Sequence, residues 1–384
     1  MICKKEECTG CFSCYNICPK NAIDMIEDMY GFIYPRIDKS KCIDCGICKK
    51  SCPSYQKADY KYPRKCFAMH SKDEEIRNNS TSGGAATIFS EMILSKGGVV
   101  YGASFKKGVI IEHIRVEKKE NLEQLKGSKY VHSYINNTFR LVKSDLENGR
   151  KVLFIGTPCQ VAGLKSFLNK EYESLYLIDL VCHGVPSQKF LKDEIKNSLN
   201  VNFNEIDKIK FRGADGYKLE YYKDSDVIKT VKSENSAYCD SFMSGIFFRE
   251  NCYDCPYAKA ERVSDLTIGD FWGLKEESKL FKDRKKGISL ILPITEKGLS
   301  LIELSKKDMV LEERKVEEAI EGNSQLQAPV VKSKEYDTFM KEYILKGYKK
   351  AYYKAKHKAI IKKNVKNNKL IMYVYSLIRK IIKK

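Results

Sequence analysis

Eight of the fifteen cysteines in this 384-residue chain form two copies of one pattern, Cys-x2-Cys-x2-Cys-x3-Cys-Pro. The first copy comprises Cys8, Cys11, Cys14 and Cys18, and the second comprises Cys42, Cys45, Cys48 and Cys52. This spacing is typical of proteins that hold 4Fe-4S clusters. Three thiolates on one tight loop can bind three corners of a cubane, so the fourth thiolate must come from another segment.

The last cysteine of each copy is expected to serve the other cluster, as in two-cluster ferredoxins. Cys52 would then complete the set of Cys8, Cys11 and Cys14, and Cys18 would complete the set of the second copy. Residues 1–55 are therefore predicted to form a 2x[4Fe-4S] ferredoxin domain that transfers electrons.

A zinc site and a disulfide scaffold are the alternatives to iron-sulfur clusters. Zinc takes four tetrahedral ligands, usually from two separated pairs, and has no use for the third regularly spaced cysteine of each copy. Disulfides need an oxidising compartment, whereas the chain begins Met1-Ile2-Cys3-Lys4-Lys5 without an apolar signal region. The sequence thus predicts a cytoplasmic protein in a reducing environment, such as that of an anaerobe.

The net charge of +19 is concentrated at the end of the chain. Residues 341–384 contain fifteen Lys or Arg and one acid, Glu342, so this segment carries +14 and leaves +5 for residues 1–340. Because no nucleic-acid-binding module accompanies the charge, no nucleic-acid partner is expected. The roughly 330 residues after the ferredoxin domain suffice for a large core. We predict that they comprise a first structural region at 65–148, a second at 150–330 and a basic helical tail at 335–384.

A Gly-rich loop, Thr81-Ser82-Gly83-Gly84, precedes a helical apolar pattern that ends at Gly97-Gly98. Such a loop can present backbone N–H groups and a positive helix end to a phosphate or pyrophosphate. An ordinary helix cap is the alternative. Strands are expected at Gly97–Phe105 and Val109–Val116.

A parallel βαβ unit is predicted from Lys151 to Val181, with Thr157-Pro158 at the start of its helix. Both strands end next to a cysteine, Cys159 and Cys182. Cofactor sites in parallel sheets lie beyond the carboxyl ends of the strands, so both thiols are expected to face one site. The position of Cys159 in the first helical turn would favour its thiolate.

Cys252 and Cys255 form a further Cys-x2-Cys pair. Together with Cys159 and Cys182 they supply the four thiolates that another 4Fe-4S cluster needs. The alternatives are inert buried cysteines, a redox dithiol or half of a zinc site. The other cysteines, Cys3, Cys66 and Cys239, are interpreted as structural thiols, with Cys239 as a reserve ligand.

Several motifs in order along the chain resemble those of coenzyme F420 hydrogenase/dehydrogenase beta subunits, here with an N-terminal ferredoxin module. They are Ser82-Gly83-Gly84, Gly127-Ser128-Lys129-Tyr130, Gly156-Thr157-Pro158-Cys159-Gln160, Cys182-His183-Gly184, Cys252-x2-Cys255 and Ser264-Asp265-Leu266-Thr267-Ile268-Gly269-Asp270. The resemblance extends to about residue 330. The implied fold class is α+β: a two-cluster bacterial-type ferredoxin module followed by an α/β FAD and iron-sulfur domain containing the parallel βαβ unit.

The resemblance also implies a bound FAD, a nearby 4Fe-4S cluster and a deazaflavin or another organic two-electron substrate. The implied flavin-binding residues are Ser82, Gly83, Gly84, Ser128 and Lys129. The implied ligands of the flavin-proximal cluster are Cys159, Cys182, Cys252 and Cys255. No catalytic residue is assigned: His183 could donate a proton near neutral pH, but a hydrogen-bonding or plain loop role is the simpler interpretation.

The function predicted from these features is an iron-sulfur flavoprotein oxidoreductase. It would couple one-electron transfer with ferredoxin or another electron-transfer protein to two-electron chemistry of the organic substrate at FAD. One alternative is a non-catalytic subunit that relays electrons between partner proteins. A weaker alternative is a basic scaffold protein that keeps its clusters only for folding.

The basic tail can be interpreted in two ways. Its apolar stretch is too short to span a bilayer, for which about 20 residues are needed. Five of its residues share one helical face, which would suit a peripheral contact with the inner membrane surface. They are Ile371, Val374, Ile378, Ile381 and Ile382. A solvated basic helix or a partly disordered end is the other interpretation.

Overall fold

The computed structural model describes residues 2–199, 201–212 and 218–367, and its β-strands form three sheets. The strands are β1 (Ile23–Glu27), β2 (Ile33–Ile37), β3 (Cys66–Ser71), β4 (Val99–Lys106), β5 (Ile110–Val116), β6 (Val152–Gly156), β7 (Leu175–Leu180), β8 (Lys208–Lys210), β9 (Lys218–Lys223), β10 (Asp226–Lys232), β11 (Leu266–Asp270), β12 (Ser289–Pro293) and β13 (Met309–Arg314). The α-helices are α1 (Ser13–Ile17), α2 (Ile47–Lys50), α3 (Glu74–Asn78), α4 (Ala85–Ser95), α5 (Thr138–Glu147), α6 (Pro158–Leu168), α7 (Gln188–Glu194), α8 (Ala237–Met243), α9 (Glu296–Ser305), α10 (Val316–Gly322), α11 (Tyr336–Lys346) and α12 (Tyr348–Asn367).

The largest sheet is mixed and has eight strands in the order β13-β3-β12-β11-β7-β6-β4-β5. Its centre, β11-β7-β6-β4, is parallel, and the outer strands pair antiparallel. Because β3 and β11 are both antiparallel to β12, they run in the same direction. The carboxyl ends of β3, β11, β7, β6 and β4 therefore meet at one side of the sheet, which we call the carboxyl edge.

Helices cover both faces of this sheet, as burial of a parallel sheet requires. On one face Phe89 of α4 and Leu301 of α9 pack with strand residues that include Leu153. On the other face Phe139 of α5 and Leu164 of α6 belong to a second buried cluster. The strands β3–β5 come from the predicted region 65–148 and the remaining five from 150–330, so both regions contribute to one sheet.

The segment β6–α6–β7 has the connectivity of a parallel βαβ unit. β6 pairs in parallel with β7 from Val152 opposite Leu175 to Gly156 opposite Asp179. Thr157 caps α6 through a reciprocal capping box with Gln160, and Pro158 occupies the first helical position. This local sequence ends the strand and starts the helix within two residues, which places Cys159 at the carboxyl edge.

The N-terminal module consists of the β1–β2 hairpin, α1 and α2, and it packs on the α5–α6 side of the large sheet. The Arg140 side chain of α5 donates hydrogen bonds to the carbonyl oxygens of Tyr15, Asn16 and Cys18. Ser166 of α6 donates to the carbonyl of Ser51 at 2.8 Å. The module is a ferredoxin-type domain in a mixed α/β protein.

α11 and α12 form the described part of the predicted basic tail. The buried side chains of Phe339, Tyr343 and Tyr348 pack around Phe190 of α7. Part of the apolar surface of the tail is thus used inside the molecule. The residues of the predicted membrane-binding face, from Ile371 onward, lie outside the described residues. Within the described part of the chain, no helix combines the length and apolar character needed to cross a bilayer.

Candidate metal centres and the carboxyl edge

Cys42, Cys45, Cys48 and Cys18 line one cavity at the surface of the N-terminal module, and we call them the outer set. Gly46 adopts a left-handed conformation, with φ of 70°, directly before α2. This turn reverses the chain between Cys45 and Cys48. Cys45 is exposed, and the other three thiols are half-buried.

Cys8, Cys11, Cys14 and Cys52 form a second group, the inner set, in which all four residues are buried. Burial raises the pKa of Cys14, and the neighbouring sulfurs of Cys11, Cys8 and Cys52 raise it further. That electrostatic coupling follows from the proximity of the four thiols. The structure thus brings together, in both sets, the cysteines that the sequence pairs across the two copies.

Cys3 also belongs to this neighbourhood, although the sequence gives it no partner. Its thiol is close to those of Cys52 and Cys8, and their interaction raises the pKa of Cys3. The hydrogen bond with Cys3 and the charge of Arg249 lower the pKa of Cys8 to about 6, against the opposing effect of burial. Cys3 therefore lies beside two sulfurs of the inner set, whereas Cys66 is buried in β3 and Cys239 lies on α8.

Cys159, Cys182, Cys252 and Cys255 line a single cavity at the carboxyl edge, and we call them the edge set. They come from three separate segments: the start of α6, the loop after β7, and the short 3-10 helix Glu250–Asp254 with the residue that follows it. Burial raises the pKa of Cys159 to about 11 and that of Cys182 to about 12. In the structure burial outweighs the stabilisation of the Cys159 thiolate that is expected from the start of the helix, because the desolvation penalty is larger.

The chemistry of these donor sets fits iron-sulfur clusters better than a single metal ion. Among residues 2–199, 201–212 and 218–367, no three His, Cys, Asp or Glu side chains are grouped closely enough to hold one ion. In a cubane each thiolate binds a different iron, so the sulfurs are farther apart than the ligands of one zinc ion. Four thiols that line one cavity without converging on one point suit this arrangement.

A buried ion pair fixes the loops that carry the edge set. The Arg262 Nη2 atom lies 3.0 Å from Asp179 Oδ1, and Thr267 donates to the same carboxylate oxygen at 2.6 Å. Arg262 also donates to the carbonyls of Tyr257 and Leu180 at 2.8 and 3.0 Å. One side chain thus joins the loop after Cys255 to the strand end before Cys182. Sequence reasoning did not identify this contact, because its members are 83 residues apart.

The inner and edge sets are neighbours. Thr9, which lies between two cysteines of the first copy, lines the edge cavity together with Arg249 and Tyr257. A methyl group at Gly163 of α6 would lie 2.8 Å from the Cβ atom of Cys11, so the helix approaches the inner set closely. Thr9 and helix α6 therefore bring the inner set against the edge cavity.

The predicted flavin-binding residues also lie close to one another at the carboxyl edge. The backbone N–H of Ser128 donates to Thr81 Oγ1 at 2.9 Å, which joins the two segments. Ser82 Oγ is buried and has no hydrogen-bond partner. Gly84 is the N-cap of α4 with φ of 93° and supplies no side-chain cap. An unpartnered hydroxyl beside an uncapped helix start can receive an anionic group.

Gly83 and Lys129 have roles that the sequence did not indicate. A Cβ atom at Gly83 would lie 2.2 Å from the carbonyl oxygen of Met69, so this glycine permits close packing of the loop on the sheet. Lys129 Nζ donates to the carbonyls of Leu125 and Lys126 at 2.8 and 2.9 Å. Burial lowers the pKa of Lys129 to about 7. Its charge therefore depends on pH in the physiological range.

His183 lines the edge cavity, and burial lowers its pKa. Its ring packs between Phe242 and Phe248 at 5.4 Å from each. These contacts explain its position by packing, and no catalytic role is assigned to it.

The last residue of β11 at the same edge is Asp270, whose carboxylate lies 2.6 Å from Arg212 Nη1. The Arg212 guanidinium is centred 5.5 Å from the ring of Trp272, which is 59% exposed. The sequence feature that could have located this group is the single tryptophan of the chain, Trp272, two residues after the strand.

Comparison with known proteins places these sites in a family. Residues 149–319 match the model of the carboxyl terminus of the coenzyme F420 hydrogenase/dehydrogenase beta subunit, and residues 7–55 match that of the 4Fe-4S dicluster domain. The chain thus contains the carboxyl-terminal region of this beta subunit family and, before it, a 4Fe-4S dicluster domain. The resemblance predicted from the motifs is confirmed, and the second match supports 4Fe-4S clusters in the N-terminal module.

Two relatives come from Methanocaldococcus jannaschii. Its coenzyme F420-dependent sulfite reductase is 26% identical over 239 residues, which are 56% of this chain and 36% of that protein. The chain thus matches about a third of the length of that relative. An uncharacterized ferredoxin is 35% identical over 54 residues, which are 14% of this chain and 69% of the ferredoxin.

Among solved structures, a chain of the F420-reducing [NiFe] hydrogenase complex from Methanosarcina barkeri, solved with xenon, is similar to this protein. The TM-score is 0.47 at 18% identity, and the alignment covers 70% of this chain and 94% of that chain.

Proposed function

We propose that this protein is an iron-sulfur flavoprotein oxidoreductase. It couples one-electron transfer through 4Fe-4S clusters to two-electron chemistry of an organic substrate or deazaflavin at FAD. The single observation that carries the proposal is the edge set: four cysteines from three distant segments line one cavity at the carboxyl edge, next to the inner set. Such convergence at the edge where sheets of this kind bind cofactors indicates a third metal site.

The outer set and the inner set would each hold one 4Fe-4S cluster, and the edge set would hold a third. These groups supply one-electron redox chemistry. The exposure of Cys45 makes the outer set the point of contact for ferredoxin or another electron-transfer protein. The burial of the inner set keeps water away from the next part of the route, and the thiols of the edge set are half-buried. The cysteine-rich composition suits a reducing cytoplasm.

FAD would be held at the carboxyl edge by Ser82, Gly83, Gly84, Ser128 and Lys129. The unpartnered Ser82 hydroxyl and the uncapped start of α4 support an anionic group there. Lys129 adds a positive charge when it is protonated. FAD supplies the exchange between hydride and single electrons. The name of the coenzyme F420-dependent relative supports a deazaflavin as the organic partner.

The test is anaerobic purification followed by measurement of iron and extractable flavin per chain. Three clusters predict about twelve irons, together with one FAD. A preparation with eight irons and no flavin, even after reconstitution with iron, sulfide and FAD, would contradict the oxidoreductase. That result would support the non-catalytic relay subunit instead.

A further inference from the structure

Arg249 is buried between the inner set and the edge set. The residue is 1% exposed, and it directly precedes the 3-10 helix that carries Cys252. Its backbone N–H donates to the carbonyl of Val185 at 3.1 Å, which joins the Cys252 segment to the loop of Cys182. Arg249 is thus part of the framework of the edge cavity.

The Arg249 guanidinium reaches into the inner set. Its Nε atom donates to the carbonyl of Cys8 at 2.6 Å, and Nη2 donates to the carbonyl of Ile33 at 2.6 Å. Nη2 also lies 3.7 Å from the sulfur of Cys8. The guanidinium carbon is 4.3 Å from the centre of the Tyr34 ring. These contacts fix both the position and the plane of the charge.

No carboxylate of the described residues forms an ion pair with Arg249. Nη1 is buried and has no hydrogen-bond partner, while the side chain lines the edge cavity. A buried cation without an anion is costly, and proteins normally pair such charges. Arg262 in the same cavity follows this rule, because it is paired with Asp179.

Two anionic groups would compensate this charge if the proposed function is correct. A 4Fe-4S cluster with four thiolate ligands carries a net negative charge, and one-electron reduction adds another. The sulfur of Cys8 lies on one side of the guanidinium. Arg249 also lines the cavity of the edge set, and its charge acts on Cys159 of that set. We propose that Arg249 is a positioning residue shared by the inner and edge clusters, which raises the reduction potential of both.

This inference rests on the proposed function, since it requires clusters in both sets. The electron that reduces either cluster comes from the electron-carrier protein that contacts the outer set. The guanidinium stabilises the added negative charge because it is fixed in a region with little water. The guanidinium beside the outer set is that of Arg140, which donates to the carbonyl of Cys18 and is unchanged in variants of Arg249, so the potential of the outer cluster serves as an internal reference.

The experiment is a redox titration of the loaded protein monitored by EPR, on the wild type, R249Q and R249K. We expect R249Q to shift the reduction equilibrium of the inner cluster toward the oxidised form by at least about tenfold, or about 59 mV for a one-electron couple. The edge cluster should shift in the same direction, and the outer cluster should not move. R249K keeps a positive charge but lacks the planar guanidinium, so the reduction potentials should shift less than in R249Q.

R77Q is the matched control, because Arg77 is also buried and also has an unpartnered nitrogen, yet it contacts Asp283 instead of a cysteine. Unchanged potentials in loaded R249Q would overturn the proposal. If R249Q fails to load, a second variant without the charge, R249M, decides: a lowered inner potential supports the proposal, and an unchanged one overturns it.

Loss of iron in R249Q and R249M but not in R77Q would also reject a role in setting potential and assign Arg249 a structural one. Failure of the proposed function is distinguishable. A wild type with only eight irons would remove the edge cluster, while the shift of the inner cluster would still be measured.

Discussion

The outer set and the edge set each gather four cysteines, but they are built in opposite ways. Three thiols of the outer set come from one loop with a glycine turn, and the cavity lies at the surface. The edge set combines three segments between residues 159 and 255, and the buried side chains of Arg249 and Arg262 line its cavity. The outer set depends on local sequence, whereas the edge set depends on the complete sheet.

The largest expected effect comes from removing thiols of the edge set. The double variant C252S/C255S should lose about four of about twelve irons, since half the ligands of one cluster are missing. The EPR signals of the other two clusters should remain, because the N-terminal module supplies their ligands. Iron determination and EPR of the reduced protein measure this outcome.

C239S is the control, since Cys239 lies on α8 and does not line the edge cavity. Loss of all iron in the double variant would show that the N-terminal module cannot hold its clusters without the edge set. The contrast between a local and a fold-dependent site would then be wrong.

A smaller effect should follow from breaking the buried pair of Arg262 and Asp179. Leaving one buried charge unpaired typically costs about 3–5 kcal/mol. We expect R262M to lower the denaturant midpoint of unfolding and to reduce iron at the edge set more than at the outer set. The comparison variant is R36Q, because Arg36 and Asp24 form an exposed pair 3.7 Å apart on the N-terminal module. Equal midpoints for both variants would contradict the assigned importance of the buried pair.

The smallest effect concerns pH and the buried Lys129. Its pKa is lowered to about 7 in the folded protein, mainly by burial, from an ordinary value of 10.5. Between these values the unfolded chain binds more protons at this residue, so its contribution to stability increases with pH. Relative to K129M, the wild type should therefore gain stability from pH 7 to pH 9. Denaturation at several pH values measures the difference, and parallel curves would contradict the lowered pKa.

The local parts of the structure could be predicted from the sequence. The spacing of the eight N-terminal cysteines gave the two groups that the structure brings together, because the pattern encodes loop geometry. The cap at Thr157 and Pro158 gave the start of α6, since its hydrogen bonds involve neighbours in sequence. The four cysteines of the edge set were grouped through strand ends and family resemblance.

The remaining features depend on contacts between distant segments. Arg249 contacts Cys8 across 241 residues, and neither spacing nor periodicity encodes such a contact. The pKa of Cys159 follows burial, which a helix position alone does not reveal. Gly83 resembled a ligand loop, yet its small size is required by the adjacent backbone of β3.

The Arg140 contacts have a consequence for the speed of electron delivery. A guanidinium that binds three carbonyls of the N-terminal module, together with the Ser166 hydrogen bond, fastens this module to α5 and α6. These hydrogen bonds hold the module in one position on the large sheet. If electrons pass through this module as proposed, the distances between its clusters and the edge cavity are set by the fold, and electron transfer between donor and acceptor requires no movement of the module.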